Sequence, residues 1–241
     1  IDSEQSAIWQ CLQGQKPRYL KNIYLTASGG PFRKASRGEL KNISVKKALR
    51  HPRWKMGKKI SVDSATMMNK GLELLEAIAL FGVPGSRIKV LIHPQAIIHS
   101  MVEFIDGVVL AQLSVTDMSI PIQYALSYPQ RLLNSNLRSQ VDFYKLKKLE
   151  FAPPDFGKFP CLKLAYQAAA DSGTAPAALN AANEVSVHEF LKGKLKFVFI
   201  PVVIENVLRR HHNKVNVGLK DILSADEWAR QEAYKTIGNL N

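Results

Sequence analysis

The sequence predicts an α/β fold with α+β character: a central mixed-sheet catalytic domain carrying helices, followed by a C-terminal helical bundle. Three observations carry this. Short β-prone runs end in Gly-containing turns through the first half of the chain, a helical stretch interrupts them, and four more helical stretches follow a Pro-rich segment.

Residues 22–26 (NIYLT) form a β-prone run that ends in Ala27-Ser28-Gly29-Gly30-Pro31, a strand followed by a turn. From Asp63-Ser64 the pattern becomes helical, with an N-cap candidate in front and Met68, Leu72, Leu75 and Ala79 on the apolar face. Residues 87–92 (RIKVLI) then lead as a strand into His93-Pro94. Residues 97–104 and 108–114 pair as a hairpin across the Asp106-Gly107 turn signal. Between 134 and 160 the regular pattern weakens, with Pro153-Pro154 and Pro160 as punctuation. Beyond it, residues 162–171, 176–192, 201–211 and 224–237 read as helices broken at Gly173 and Gly193. The expected division is therefore a catalytic domain over 1–133, a linker over 134–160 and a helical domain over 161–241. No internal repeat or low-complexity tract interrupts it.

Composition excludes several classes. With 46% hydrophobic and 22% charged residues in 241, the chain has the make-up of a folded globular protein. Its longest apolar run, 197–204, contains Pro201 and is far short of the roughly 20 residues of a membrane span. The opening IDSEQSAIWQ lacks the basic flank and apolar core of a signal peptide and looks like the tail of a strand, and with no initiator Met it reads as a fragment. Cys11 and Cys161, too few for a disulfide framework, read as small apolar residues in a reducing compartment. That compartment is expected to be the cytoplasm, with a plastid stroma also open.

The net charge of +13 is concentrated. Between Gln5 and Lys59 stand fourteen basic residues and one acid, Glu39, and the rest of the chain is balanced. Such a segment attracts anions, whether phosphorylated metabolites or nucleic acid, or it is simply a solvated face.

Four small constellations could do chemistry. On an extended segment Asp2 and Glu4 project from one side and could hold a hard divalent cation with a third carboxylate, although an isolated D-x-E is ordinarily a pair of surface acids. Asn69, Lys70 and Glu73 fall three and four apart and share a helical face, which is also the spacing of a plain surface salt bridge. Ser64, expected near that helix's N-terminus, adds a hydroxyl where unpaired amides and the helix dipole favour an anion. Ser28-Gly29-Gly30 has the composition of an anion-cradling turn as well as of an ordinary one. In the Lys-rich loop HPRWKMGKK, His51, Trp54 and Met56 fit either a lid over a ligand or a core Trp with a capping His.

Taken together, LTASGGPFR (25–33), HPRWKMGKKISVDSATMMNKGLELLEA (51–77), LIHPQAIIHSMVEFIDG (91–107) and ALNAANEVSV (178–187) resemble the 1-deoxy-D-xylulose 5-phosphate reductoisomerase family in order and spacing. The opening IDSEQSAI resembles its metal-binding segment. The resemblance implies an NADPH-dependent isomeroreductase of non-mevalonate isoprenoid biosynthesis, converting 1-deoxy-D-xylulose 5-phosphate to 2-C-methyl-D-erythritol 4-phosphate with Mg²⁺, Mn²⁺ or Co²⁺. Its implied metal ligands are Asp2, Glu4 and Glu73, with Glu4, Glu73 and His51 catalytic. Ser28, Ser64, Asn69 and Lys70, with His51, would bind the phosphate, Ser3 would touch the hydroxyl-bearing substrate backbone, and Trp54 would cover it. Met56 and Gly57 would face the cofactor. Gln5 departs from the His usual beside the metal-binding Glu. No nucleotide-binding fingerprint occurs, so this chain is expected to lack the NADPH domain and to be inactive alone. A homodimer is implied, with no nucleic-acid or membrane partner. The alternative from another class is a standalone basic module binding anions or nucleic acid.

Overall fold

The computed structural model describes residues 2–50, 56–133 and 140–240. The chain divides into two compact units, Ile1–Ser28 with Glu76–Pro154, and Gly29–Leu75 with Asp155–Asn241.

The first unit is built on a mixed four-stranded sheet. Strands β1 (Leu20–Ala27), β2 (Ile88–Ile92), β3 (Ile98–Phe104) and β4 (Val109–Leu113) lie in the order β2-β1-β3-β4. β1 runs parallel to β2 and antiparallel to β3, and β3 pairs with β4 across the expected Asp-Gly hairpin. A parallel neighbour requires a long crossover. Here the chain leaves after β1, passes through the second unit and returns along a helix.

The N-terminal segment is not extended. Ser3–Leu12 is helix α1, with Asp2 at its N-cap and Glu4 in its first turn. Ser3, Ala7 and Cys11 recur at four-residue spacing and are buried with Ile8, giving a stripe that packs on β3 and β4. Because positions two apart on a helix do not face each other, strand alternation does not put the two carboxylates on one side. Small and polar residues make up most of the stripe, so hydropathy alone conceals it. Helix α6 (Ser119–Ser127) completes the unit. His93, fully buried, fixes the turn between β2 and β3. Its Nδ1 lies 3.0 Å from the Glu150 carbonyl, and its Nε2 accepts from the Ile97 and Ile98 amides at 3.2 Å.

In the second unit two single-turn helices, α2 (Arg37–Leu40) and α3 (Val45–Ala48), begin at capping serines Ser36 and Ser44. Helix α4 spans Lys58–Thr66 and α5 spans Met68–Phe81, the latter running on into the first unit. The helix does not begin at Asp63-Ser64, as the sequence suggests. Asp63 lies inside α4 because its carboxylate is turned inward, paired with Lys59 at 2.6 Å and accepting from Asn183 at 2.9 Å. Burial pushes its carboxyl above the ordinary carboxylate value against the pull of those two partners. The break comes at Met67, whose φ of 62° ends α4. The buried face of α5 is also rotated from expectation. Met68, Leu74 and Ala77 are buried, whereas Leu72 and Leu75 are half-buried and Ala79 is exposed.

The four C-terminal helices form as predicted: α7 (Pro160–Asp171), α8 (Ala175–Leu191), α9 (Ile200–Arg210) and α10 (Leu219–Gly238). α8 is the centre, packed by α7, α9, α10 and α4. Its run of Ala178, Ala181 and Ala182 lets those neighbours approach closely. Both cysteines are buried and free, their thiols pushed up to about 11 for Cys11 and about 12 for Cys161, so they behave as apolar residues.

Glu103 on β3 ties the sheet together by accepting from Lys21, Asn22 and Tyr24 of β1, each at 2.7 Å. These donors hold its carboxyl down to about 2, from an ordinary 4.5. A depressed folded-state value stabilises the fold above the unfolded value, and that stability is lost as pH falls through the folded one. Glu103→Gln should therefore lower Tm at neutral pH. The gap from the parent should close between pH 4.5 and about 2 in melting curves.

Candidate active site

In the first unit, α1 and β3 bring together a short hydrogen-bonded chain. Ser3, buried in the first turn of α1, donates its hydroxyl to Glu4 Oε2 at 2.8 Å. The buried His99 of β3 places Nδ1 2.9 Å from the Ser3 oxygen and Nε2 3.3 Å from the Ser114 carbonyl. The Ser3 hydroxyl lies between the Glu4 carboxylate and the His99 ring. The ring thus fixes the serine and, through it, the carboxylate. Thr26 supports this part of β3, its hydroxyl 2.6 Å from the Ile98 carbonyl and 2.8 Å from that of His99. Gln5 is also buried and donates to Glu76 at 3.3 Å. Sequence reasoning passed over His99. The available signal was a histidine at a buried position of the strand IHSMVEF, beside Ile98 and Ser100.

In the second unit, Asn69, Lys70 and Glu73 occupy the start of α5. Glu73 accepts from the Asn69 amide on Oε1 at 2.6 Å and from the Lys70 ammonium on Oε2. Lys70 and Glu73 are 4% and 1% exposed, so this is a buried pair and not the surface salt bridge that the spacing alone also allows. Removing two charges from water demands good geometry and hydrogen-bond partners, and each Glu73 oxygen has at least one. Lys70 carries three donors and Asn69 two, so each keeps hydrogens beyond those given to Glu73.

The local fold sets this register. Met67 in the left-handed region restarts the helix, and the Met68 amide is capped by the Thr66 hydroxyl at 3.3 Å. Asn69 and Lys70 consequently stand in the first turn of α5, where the dipole favours an anion. Ser64 is not at a helix start. It lies in the last turn of α4, half-buried, its carbonyl accepting from Met67. Gly71 allows α5 to lie on α7, since a Cβ there would come within 2.5 Å of the Ala165 methyl.

Ser28 is half-buried just past β1, and the turn after it continues through Gly29 and Gly30 at φ of 83° and 66°. Met56 is half-buried, and Gly57 is the N-cap of α4, its carbonyl accepting from the Ser61 hydroxyl at 2.8 Å. His51 and Trp54 lie outside the described residues. Of the three carboxylates expected to bind metal, Asp2 and Glu4 belong to the first unit and Glu73 to the second. Among the described residues no group of three metal-capable side chains is gathered within either unit.

Comparisons with known proteins fall on the same segments. Residues 1–81 match the family model described as 1-deoxy-D-xylulose 5-phosphate reductoisomerase C-terminal domain, and residues 113–232 match that of the DXP reductoisomerase C-terminal domain. The 1-deoxy-D-xylulose 5-phosphate reductoisomerase of Desulforamulus reducens is 54% identical over 239 residues, covering 99% of this chain and 61% of its own. That of Pelotomaculum thermopropionicum is 51% identical over 240 residues, covering 100% and 62%. A crystal structure of DOX-P reductoisomerase in complex with NADPH, fosmidomycin and magnesium is similar with a TM-score of 0.92 at 42% identity, over 99% of this chain and 63% of that one. The enzyme from Zymomonas mobilis in complex with NADPH gives 0.89, also at 42%, over 98% and 60%. The chain thus spans about three fifths of the length of the relatives it matches. It belongs to the 1-deoxy-D-xylulose 5-phosphate reductoisomerase family.

The contact between the glycine turn and α4 is directly testable. A Cβ on Gly30 would sit 2.5 Å from the Ser64 carbonyl oxygen, at a φ of 66° that L side chains rarely adopt. Gly30→Ala should destabilise the protein by more than about 1 kcal/mol, read from its chemical denaturation midpoint.

Proposed function

We propose that this chain carries the metal- and substrate-binding part, with the C-terminal helices, of an NADPH-dependent isomeroreductase. The reaction is the rearrangement and reduction of 1-deoxy-D-xylulose 5-phosphate to 2-C-methyl-D-erythritol 4-phosphate. One observation supports it most: a buried carboxylate, Glu73, held between an ammonium and an amide at the start of a helix. A nucleic-acid-binding module would need an open basic face and has no use for that arrangement.

The donor set suits a hard cation. Asp2, Glu4 and Glu73 offer oxygen only, and Glu4 and Glu73 are already oriented by neighbouring hydrogen bonds. In this reading those three carboxylates hold Mg²⁺, Mn²⁺ or Co²⁺. When bound, the ion polarises the substrate's carbonyl as a Lewis acid, and NADPH supplies the hydride. The protein's own contribution is placement. Ser3, fixed by His99, meets the substrate's hydroxyls, while Ser28, Ser64, Asn69 and Lys70, with His51, bind the phosphate. Phosphate binding away from the reacting carbons provides binding energy for the chemistry, and Trp54, which lies outside the described residues, is the residue we assign to cover the substrate. Met56 and Gly57 are assigned to the cofactor, and Glu4, Glu73 and His51 serve the reacting centre.

Grouped by role, residues 1–133 form the catalytic part, 134–160 the linker and 161–241 the helical part. The functional protein is a homodimer, a reading supported by β4, an edge strand whose Val109 and Leu110 are exposed beside Ile105 and Val108. No helix among the described residues is long and apolar enough to cross a membrane. The cytoplasm is the compartment we assign.

Calorimetric titration of this chain with fosmidomycin, with Mn²⁺ present and then chelated, tests the reading. Binding should require the metal. Ser64→Ala, which leaves the buried ion pair intact, should weaken it by at least about tenfold, or 1.4 kcal/mol. Failure of the folded chain to bind, or an unchanged affinity in Ser64→Ala, would remove the proposed phosphate site.

A further inference from the structure

A cavity of about 580 Å³ lies wholly within the second unit between α2, the segment leading into α7, and the segment leading into α9. None of the residues placed in the catalytic reading lines it. Its walls are apolar, with Leu40, Phe159 and Phe197 themselves buried. Four cations stand among the lining residues, Arg37, Lys41, Lys158 and Lys196, and no acid does.

These cations are largely uncommitted. Lys158 donates to the Arg33 carbonyl at 2.8 Å, but Arg37, Lys41 and Lys196 make no ion pair among the described residues. Two acids stand close to them in the chain, each accepting from a neighbouring backbone amide. Glu39 closes the capping box of α2, and Asp155 accepts from the Lys158 amide at 2.9 Å. Gly157 leaves room for the guanidinium, since a Cβ there would come within 2.5 Å of Arg37 Nη2.

A volume in the ordinary range for small-molecule sites, apolar walls and lining charges of one sign describe a receptor for a particular chemistry. We propose that this cavity binds an amphiphilic anion, a single apolar chain ending in a phosphate or carboxylate head. The chain packs against Leu40, Phe159 and Phe197, and the head meets Lys41, Lys196 and Arg37. The occupant also bears on Thr66, a wall residue whose hydroxyl caps the first amide of α5. Cys161, also in the wall, takes no chemical part, because burial holds its thiol pKa at about 12.

The probes are n-decyl phosphate, decanoate, decyltrimethylammonium and inorganic phosphate, each titrated calorimetrically into the full chain below its micellar concentration. Decyl phosphate or decanoate should bind saturably at one site, and the stronger of the two identifies the head group. Inorganic phosphate and the decyl cation should each bind at least about tenfold more weakly, because each lacks one half of the recognised chemistry. Lys41 and Lys196 are exposed, so the double variant Lys41→Glu/Lys196→Glu should fold normally and lose about tenfold or more in affinity for the anionic probe. Val198→Trp, which fills the cavity from its wall, should abolish binding with the charges intact. Equal binding of the decyl cation, indifference to the double variant, or no saturable binding of either anion would overturn the proposal. Fosmidomycin affinity is measured separately, so neither this result nor that one decides the other.

Discussion

Much of the second unit's arrangement follows from one buried ion pair. Lys70 and Glu73 are both withdrawn from water within a single turn of α5, and a charge in that position is tolerable only when opposed and hydrogen-bonded. Asn69 supplies the second partner, one turn before Glu73. All three must be correctly phased around the helix, so the point at which α5 begins is constrained to the residue. The left-handed Met67 and the Thr66 cap set that point. A start one residue earlier or later would rotate the face by about 100° and carry a charged group into apolar surroundings.

The neighbouring contacts read as supports for that start. Gly30 brings the turn after β1 against the Ser64 carbonyl, and Gly71 lets the first turns of α5 rest on α7. From the other side Asp63 anchors α4 to α8 through Asn183, a second buried carboxylate with a cation, Lys59, and an amide as partners. The two sites share a design and differ in kind. Lys59 is exposed at its end of the pair, whereas Lys70 is buried with its carboxylate, and only the Lys70 set stands at a helix start, where unpaired amides face outward.

Legibility in the sequence follows the size and regularity of the signal. The hairpin, β1, β2 and the four C-terminal helices were readable because turn residues and apolar periodicity agree there. α1 was not, because its buried stripe is Ser3, Ala7 and Cys11 with a single Ile8, and hydropathy does not distinguish small polar residues packed against a sheet from exposed ones. The α4–α5 boundary was misplaced for a different reason. Asp63-Ser64 has the chemistry of an N-cap, yet Asp63 is claimed by Asn183, 120 residues away, and a tertiary partner overrides a local preference.

The two buried histidines of the first unit show where such reading stops. His93 and His99 lie six residues apart in one apolar stretch, both almost without exposure, and composition treats them alike. What separates them is the nature of their partners. His93 meets backbone groups, the Glu150 carbonyl and the amides of Ile97 and Ile98, which locks its tautomer and makes it a brace for the turn. His99 touches backbone on one side only, the Ser114 carbonyl, and on the other meets the hydroxyl of Ser3, which in turn meets the carboxylate of Glu4. A ring joined to backbone holds a fold. A ring joined through a serine to an acid in the first turn of α1 holds the orientation of a functional group, and the difference lies in a contact across 96 residues that no local pattern encodes.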